Sequence, residues 1–333
     1  MKTKQKTVRI SIIGFGYVGN GVAEVIRRKR EAIASKYGID LKVVGIADLK
    51  GVIADEQGLS EEAIQALKAG KNPGDMTGLE LIRDIEHDVM VETTPTNVET
   101  GEPGLTHIIT ALDSGRHVVT SNKGPIARDY RMLMDLAAKR GRELKFEASV
   151  GGAMPIISLV QDNLAGNGVT SIKGILNGTC NYILTRMADE NLPYEHVLKE
   201  AQEIGIAETD PTKDVEGVDT AVKLVILANS VFGMNATYKD VTVKGITEIT
   251  LDALKLADDA GYVIKLIGDV DSDGRLEVAP RLVPKDDPLN VCGTLNVATI
   301  KTDLAGEITV IGKGAGPIEA ASAVLSDIIG LYS

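Results

Sequence analysis

The chain has 333 residues, 44% apolar and 25% charged, and its 36 basic and 47 acidic side chains leave a net charge of −11. That length admits two domains with sizeable cores, while the acidic balance and the absence of tryptophan argue against nucleic acid or an anionic membrane surface as a partner. Two cysteines, Cys180 and Cys292, make no disulfide framework and imply a reducing cytoplasm; no signal peptide fits the N-terminus, and no run reaches the ~20 apolar residues of a membrane helix.

Val8 to Ile13 is a β-branched run followed at once by Gly14-Phe15-Gly16-Tyr17-Val18-Gly19, after which Val22, Ala23, Val25 and Ile26 repeat with helical spacing. Strand, G-x-G-x-x-G and helix in that order are the context that makes the fingerprint specific for a dinucleotide. Gly14 would permit the tight turn, Gly16 the close approach of a pyrophosphate, and Gly19 the packing of helix on strand. The helix start offers amides and a positive dipole end to the phosphates. A second strand, Leu41 to Ala47, ends at Asp48, a carboxylate suited to a ribose 2′-OH and hence to NAD. Asp48 could instead merely start a turn, and Lys50 could meet a 2′-phosphate, so NAD and NADP both stay open.

Residues 51–80 read as an excursion carrying one short helix from Ser60 to about Lys68. Asp88 to Glu92 resumes the sheet and stops at Thr93-Thr94-Pro95, and a helix over 104–114 leads to strand His117–Thr120 and Ser121-Asn122-Lys123. Ligands of doubly wound sheets bind beyond the carboxyl ends of the strands, which directs Thr93, Thr94 and Lys123 toward a ligand. Asn122 and Pro125 suggest a shaped loop around Lys123 rather than a solvated turn. Strand Glu143–Val150 leads through Gly151-Gly152-Ala153-Met154-Pro155 to a helix holding Ile156, Ile157, Leu159 and Val160. Residues 169–177 form another strand, closed by Asn177-Gly178-Thr179-Cys180-Asn181 before a helix, where the amides of Gly178 and Thr179 can hold a carboxylate. Cys180, near a helix start, is a candidate nucleophile by position. No histidine motif supplies it with a base, so it reads as packing.

Residues 208–223 form an acidic approach to a single lysine. Asp219 and Lys223 stand four apart as an apolar helical pattern begins, so they share one helix face. A buried lysine with a carboxylate neighbour is a candidate proton-transfer group. Glu208, Asp210, Asp214 and Glu216 crowd the approach, with Asp210 the best placed to cap the next helix. Downstream, Asp269–Asp273 reads as the acidic turn of a hairpin rather than a metal site. The apolar segment 296–311 fits either a core or a dimer interface.

Gly-Phe-Gly-Tyr-Val-Gly, Thr-Ser-Asn-Lys (120–123), Glu-Ala-Ser-Val-Gly-Gly (147–152), Asn-Gly-Thr-Cys-Asn-Tyr-Ile-Leu (177–184), the 208–223 segment and Gly312-Lys313-Gly314-Ala315-Gly316-Pro317 together resemble homoserine dehydrogenase. The resemblance runs in order through nearly the whole chain. It implies NAD(P)-linked interconversion of L-homoserine and L-aspartate 4-semialdehyde, on the route to threonine and methionine, by a cytoplasmic homodimer. By similarity, Lys223 would exchange the proton at the reacting oxygen with Asp219 beside it, and Lys123 would lie at the substrate and nicotinamide. Glu208 and Asp214 would hold the substrate's polar end. Phe15 to Val18, Thr93, Thr94, Ser121 and Gly316 would line the cofactor. A monovalent cation, commonly sodium, would be held mostly by carbonyls of Glu147, Val150, Gly152 and Met154.

The expected architecture is α/β: a Rossmann-type doubly wound parallel sheet from residues 1–145 with 310–333, and an α+β substrate-binding and dimerisation domain over 146–309. The chain leaves no room for the regulatory and aspartate kinase domains of longer members, so threonine inhibition through an added domain is not expected. Two other readings compete: an aspartate-semialdehyde dehydrogenase-like enzyme working through a cysteine thioester, and a dinucleotide-sensing protein without catalysis.

Overall fold

The computed structural model describes residues 5–71 and 75–332. The chain divides into two compact units, residues 1–152 with 316–333, and residues 153–315. In chain order the first unit contains β1 (Lys6–Ile13), α1 (Tyr17–Tyr37), β2 (Ile39–Asp48), β3 (Gly51–Ala54), α2 (Glu61–Lys68), α3 (Gly78–Asp84) and β4 (Val89–Glu92). It continues with α4 (Gly104–Asp113), β5 (His117–Thr120), α5 (Lys123–Arg140) and β6 (Leu144–Lys145). The second unit holds β7 (Val169–Ile175), α6 (Gly178–Glu190), α7 (Tyr194–Glu203), α8 (Thr212–Val215), α9 (Val218–Phe232), β8 (Thr242–Val243) and α10 (Leu251–Asp259). Strands β9 (Tyr262–Asp271), β10 (Leu276–Pro284), β11 (Leu295–Thr302) and β12 (Glu307–Lys313) complete it, and α11 (Pro317–Gly330) returns to the first unit.

The first sheet runs β3-β2-β1-β4-β5-β6, parallel except where β3 pairs antiparallel with β2. Its strands carry Val8, Ile10, Ile12, Leu41, Ile46, Val89, Val91 and Val119 into the core, the β-branched runs of a sheet covered on both faces. Helix α1 buries Val22, Val25 and Ile26, and α11 adds Ala321, Val324 and Ile328 to the same cluster. The second sheet, β12-β11-β7-β9-β10-β8, is antiparallel except for the short β10–β8 pair. The two architectures are the doubly wound and α+β forms expected from the sequence.

Several local expectations differ from what is found. The strand expected over Glu143–Val150 is only two residues long. The Glu147 N–H donates to Asp327 Oδ2 on α11 at 3.0 Å, and Glu147–Ser149 winds into a 3₁₀ turn closed by Phe146, so this backbone leaves the ladder. The helix expected from Ile156 is a π-turn, Leu159–Asn163. The excursion at 51–80 holds β3 and α3 besides α2, with a complete capping box between Thr77 and Glu80. The shaped loop around Lys123 is instead the first turn of α5: Asn122 is its N-cap, accepting the Gly124 N–H at 3.1 Å. Both unit boundaries also fall later than expected. Residues 146–152 go with the first unit through the Asp327 contact, and 310–315 stay with the second because β12 pairs with β11 through Lys313.

Candidate active site

In the first unit the fingerprint glycines meet three different constraints. Gly14 has φ +90°, and a Cβ there would lie 2.7 Å from the Thr93 carbonyl and the Thr94 nitrogen. A Cβ on Gly19 would stand 2.1 Å from the Gly14 oxygen, whereas at Gly16 nothing lies within 4 Å. The turn is therefore closed from below and open above Gly16, the shape needed for a pyrophosphate to approach the backbone. Thr93 Oγ1 donates to the Gly14 carbonyl at 2.6 Å, and Asn20 Nδ2 donates to the carbonyls of Phe15 and Gly16 at 2.6 and 2.8 Å. No side chain caps α1 at Gly16, which leaves the first-turn amides to an anion. Phe15 is buried, Val18 half-buried and Tyr17 exposed.

Asp48 closes β2, while the Lys50 ammonium donates to the Lys68 carbonyl at the end of α2 at 2.9 Å. At the carboxyl edge, Glu92 is fully buried. It accepts the Thr94 N–H at 3.0 Å, the Thr120 hydroxyl at 3.2 Å and the Thr94 hydroxyl. Thr120 Oγ1 accepts the Asn122 N–H at 2.9 Å, and Asn122 Nδ2 donates to Thr94 Oγ1 at 3.3 Å. This mesh fixes Thr94 and the cap of the helix that Lys123 begins; Ser121 donates its N–H to the Glu92 carbonyl. Sequence reasoning overlooked Glu92, although a glutamate ending an apolar strand was a visible signal. Gly316 caps α11 with φ +131°.

In the second unit, α9 places Asp219 and Lys223 on one face as their spacing requires. Lys223 is 8% exposed; its Nζ lies 2.8 Å from Asp219 Oδ2 and donates to the Leu176 carbonyl at 2.7 Å. Leu176 and Asn177 end the β7 segment, so the lysine meets backbone from the strand and a carboxylate from its own helix. Asn177 Nδ2 donates to Asp214 Oδ1 at 2.7 Å and Asp219 Oδ2 at 3.0 Å, while its Oδ1 accepts the Cys180 N–H at 2.9 Å. Sequence reasoning valued this segment for the amides of Gly178 and Thr179, which do head α6, and missed the Asn177 side chain. Asp210 accepts from the N–H and hydroxyl of Thr212 at 3.1 and 2.6 Å, and these donors hold its carboxyl below the usual range; the N-cap of α8 is Pro211 rather than the expected Asp210, whose side chain closes a local turn just before it. Glu208 is exposed beside it.

Cys180 is fully buried and its Sγ lies 3.1 Å from the Asp214 carbonyl oxygen. Burial, then the charges of Asp214 and Asp219, push its thiol well above the ordinary value. A thiolate nucleophile needs the opposite shift. Packing is the role this environment supports.

For the expected cation, Val150, Gly152 and Met154 are buried. Glu147 O already accepts the Val150 N–H at 3.3 Å. Backbone carbonyl oxygens are the donor type that suits a hard cation. Among the described residues no three His, Cys, Asp or Glu side chains gather as a metal site, and no helix is long and apolar enough to cross a membrane.

Two family profiles match, one for homoserine dehydrogenase over residues 155–329 and one for its NAD binding domain over residues 14–147. A homoserine dehydrogenase of Methanocaldococcus jannaschii is 53% identical over 97% of this chain and 98% of its own. An NAD(+)-dependent homoserine dehydrogenase of Pseudomonas canavaninivorans is 38% identical over 97% and 96%. The structure of a hyperthermophilic archaeal homoserine dehydrogenase in complex with NADPH gives a TM-score of 0.84 at 31% identity, covering 98% of this chain and 97% of that one. With both halves matched in order around a dinucleotide turn and a buried lysine–aspartate pair, this chain belongs to the homoserine dehydrogenase family.

Proposed function

We propose that Lys223 is the proton-transfer group in the NAD(P)-linked interconversion of L-homoserine and L-aspartate 4-semialdehyde, a biosynthetic step toward threonine and methionine. The observation that carries this is the buried Lys223–Asp219 pair, 2.8 Å apart, in a chain that also holds an open dinucleotide turn. Oxidation of a primary alcohol to an aldehyde removes a hydride from carbon and a proton from oxygen. The nicotinamide ring, when bound, supplies the hydride acceptor and, in the reverse direction, the donor. Lys223 as the ammonium gives a proton to the aldehyde oxygen during reduction; as the amine it takes the hydroxyl proton during oxidation. A free lysine, with pKa about 10.4, is mostly protonated at neutral pH, so the base role belongs chiefly to alkaline conditions. Asp219 orients the ammonium and favours its charged form.

Asp214 and Glu208 are assigned to the substrate's α-ammonium, the amides of Gly178 and Thr179 to its carboxylate, and Lys123 to the reacting end. Gly14, Phe15, Gly16, Tyr17, Val18, Gly19, Thr93, Thr94, Ser121 and Gly316 would hold the cofactor. Asp48, beside a Lys50 whose ammonium is engaged with α2, supports NAD as a cofactor. The NAD(+)-dependent and NADPH-bound relatives make trials with both necessary. Residues 1–152 with 316–333 would be the dinucleotide domain and 153–315 the substrate and dimerisation domain. A homodimer through the second sheet is supported by Ile311, exposed on edge strand β12. A structural sodium on the carbonyls near Glu147, Val150, Gly152 and Met154 and a cytoplasmic setting complete the reading.

The test follows reduced nicotinamide absorbance with L-homoserine and each cofactor, then with the semialdehyde plus phosphate. Homoserine-dependent turnover is expected, with Lys223→Ala folded but slower by about a hundredfold to ten-thousandfold in kcat. Absence of homoserine turnover with either cofactor would sink the reading. Phosphate-dependent oxidation of the aldehyde would point to thioester chemistry instead.

A further inference from the structure

We propose that Asn177 is a positioning residue of the reaction: its carboxamide clamps Asp214 and Asp219 to the start of α6 and so sets the carboxylate that faces Lys223. This rests on the assignment of Lys223 as the proton-transfer group. The orientation of the carboxamide follows from its neighbours. The Cys180 N–H can only donate, so the oxygen must face it; an ionised carboxylate can only accept, so the nitrogen must face the two acids. The distances of 2.9, 2.7 and 3.0 Å meet all three requirements at once. Asn177 is 6% exposed, so these bonds are sheltered from water and hold geometry well.

The consequence lies at Asp219 Oδ2, which accepts from both Lys223 Nζ and Asn177 Nδ2. Without the amide, that oxygen turns more of its charge on Lys223 and stabilises the ammonium more strongly. Asp214 at the same time loses the Asn177 amide at 2.7 Å. Asn177 therefore couples two jobs, orientation of the substrate-facing acid and release of the lysine proton, to the cap of one helix. The charged and titratable groups of the second unit around this point are Asp219 and Lys223 on α9, Asp214 on α8, Glu216 at its end and the Cys180 thiol on α6. Tyr194 on α7 lies within reach of Cys180 and Glu216, with its phenol pushed up to about 12.

Asn177→Ser and Asn177→Asp separate this role from capping, because both keep an oxygen acceptor for the helix start and both remove the amide donors. In homoserine oxidation the serine variant should keep a thermal midpoint near wild type yet lose about tenfold in kcat at neutral pH. Its acid limb should move about one pH unit to the alkaline side, the shift that corresponds to that loss. The KM for the nicotinamide cofactor should stay within about twofold. The aspartate variant, which adds a third carboxylate, should move the limb further. A residue that only caps α6 would leave kcat and the limb unchanged in both, and that result overturns the inference. If the serine variant does not fold, the nearly isosteric aspartate variant decides by the same limb. Lys223→Met keeps the two ideas apart. Full turnover in that variant removes the proton-transfer reading itself, whereas loss there beside wild-type Asn177 variants removes only the clamp.

Discussion

Single atoms decide the cofactor turn. At Gly19 a methyl group would meet the Gly14 carbonyl at 2.1 Å, backbone against backbone, with no flexible neighbour to yield. Gly19→Ala should therefore destabilise the protein by about 1–3 kcal/mol and weaken cofactor binding together. At Gly16 the same methyl enters empty space. Gly16→Ala should keep its thermal midpoint while the cofactor KM rises about tenfold, because the methyl occupies the approach to the backbone amides. Thermal melts beside cofactor titrations check both, and equal effects at the two positions would contradict this division. The glycines and the Asp219/Lys223 pair were legible because each is defined by neighbours within one turn of chain. Glu92 and the side chain of Asn177 were not: Glu92 finds Thr120 28 positions away, and Asn177 finds its acids 37 and 42 positions away.

Helix α11 shows what an element contributes away from any ligand. It packs on α1 and supplies Ala321, Val324 and Ile328 to the core that holds Val22 and Ile26, and Gly21 admits Pro317 where a Cβ would stand 2.4 Å from its carbonyl oxygen. Ile328 is fully buried, so Ile328→Ala should cost about 2–5 kcal/mol. Truncation after Ala315 uncovers the whole α1 stripe, a loss comparable with a total stability of about 5–15 kcal/mol. Urea unfolding of the point variant and near-ultraviolet dichroism of the truncated chain test this, and native dichroism after truncation would refute it. The apolar repeat of α11 was readable. The early end of β6 and the start of α5 are not readable locally, because contacts outside those segments, Asp327 with Glu147 and the Glu92 mesh under Asn122, determine where the ladder stops and the helix begins.

The whole molecule carries a stability dependence on pH written into buried histidine. His87 is 1% exposed, its Nδ1 lies 2.7 Å from the Ile85 carbonyl oxygen, and its Nε2 has no hydrogen-bond partner among the described residues. Burial lowers its pKa from 6.5 to about 4. The unfolded chain thus binds a proton that the folded chain refuses, and stability falls as pH drops from about 6.5 toward about 4. The full effect is roughly 3 kcal/mol, and His117, also lowered chiefly by burial, adds in the same direction. Thermal midpoints between pH 7 and 5 should fall in the wild type and fall less in His87→Asn; identical slopes would discount His87. At this scale the sequence by itself determined the strand–turn–helix at the N-terminus, the glycine turn and the face shared by Asp219 and Lys223. Those features depend on periodicity, steric freedom and spacing within a short stretch of backbone. Only the tertiary structure decided which strands are neighbours, how fully Cys180 is buried, and that Asn177 joins Asp214 to Asp219. Hydrogen bonds between distant segments and the exclusion of water exist only once the chain has closed on itself.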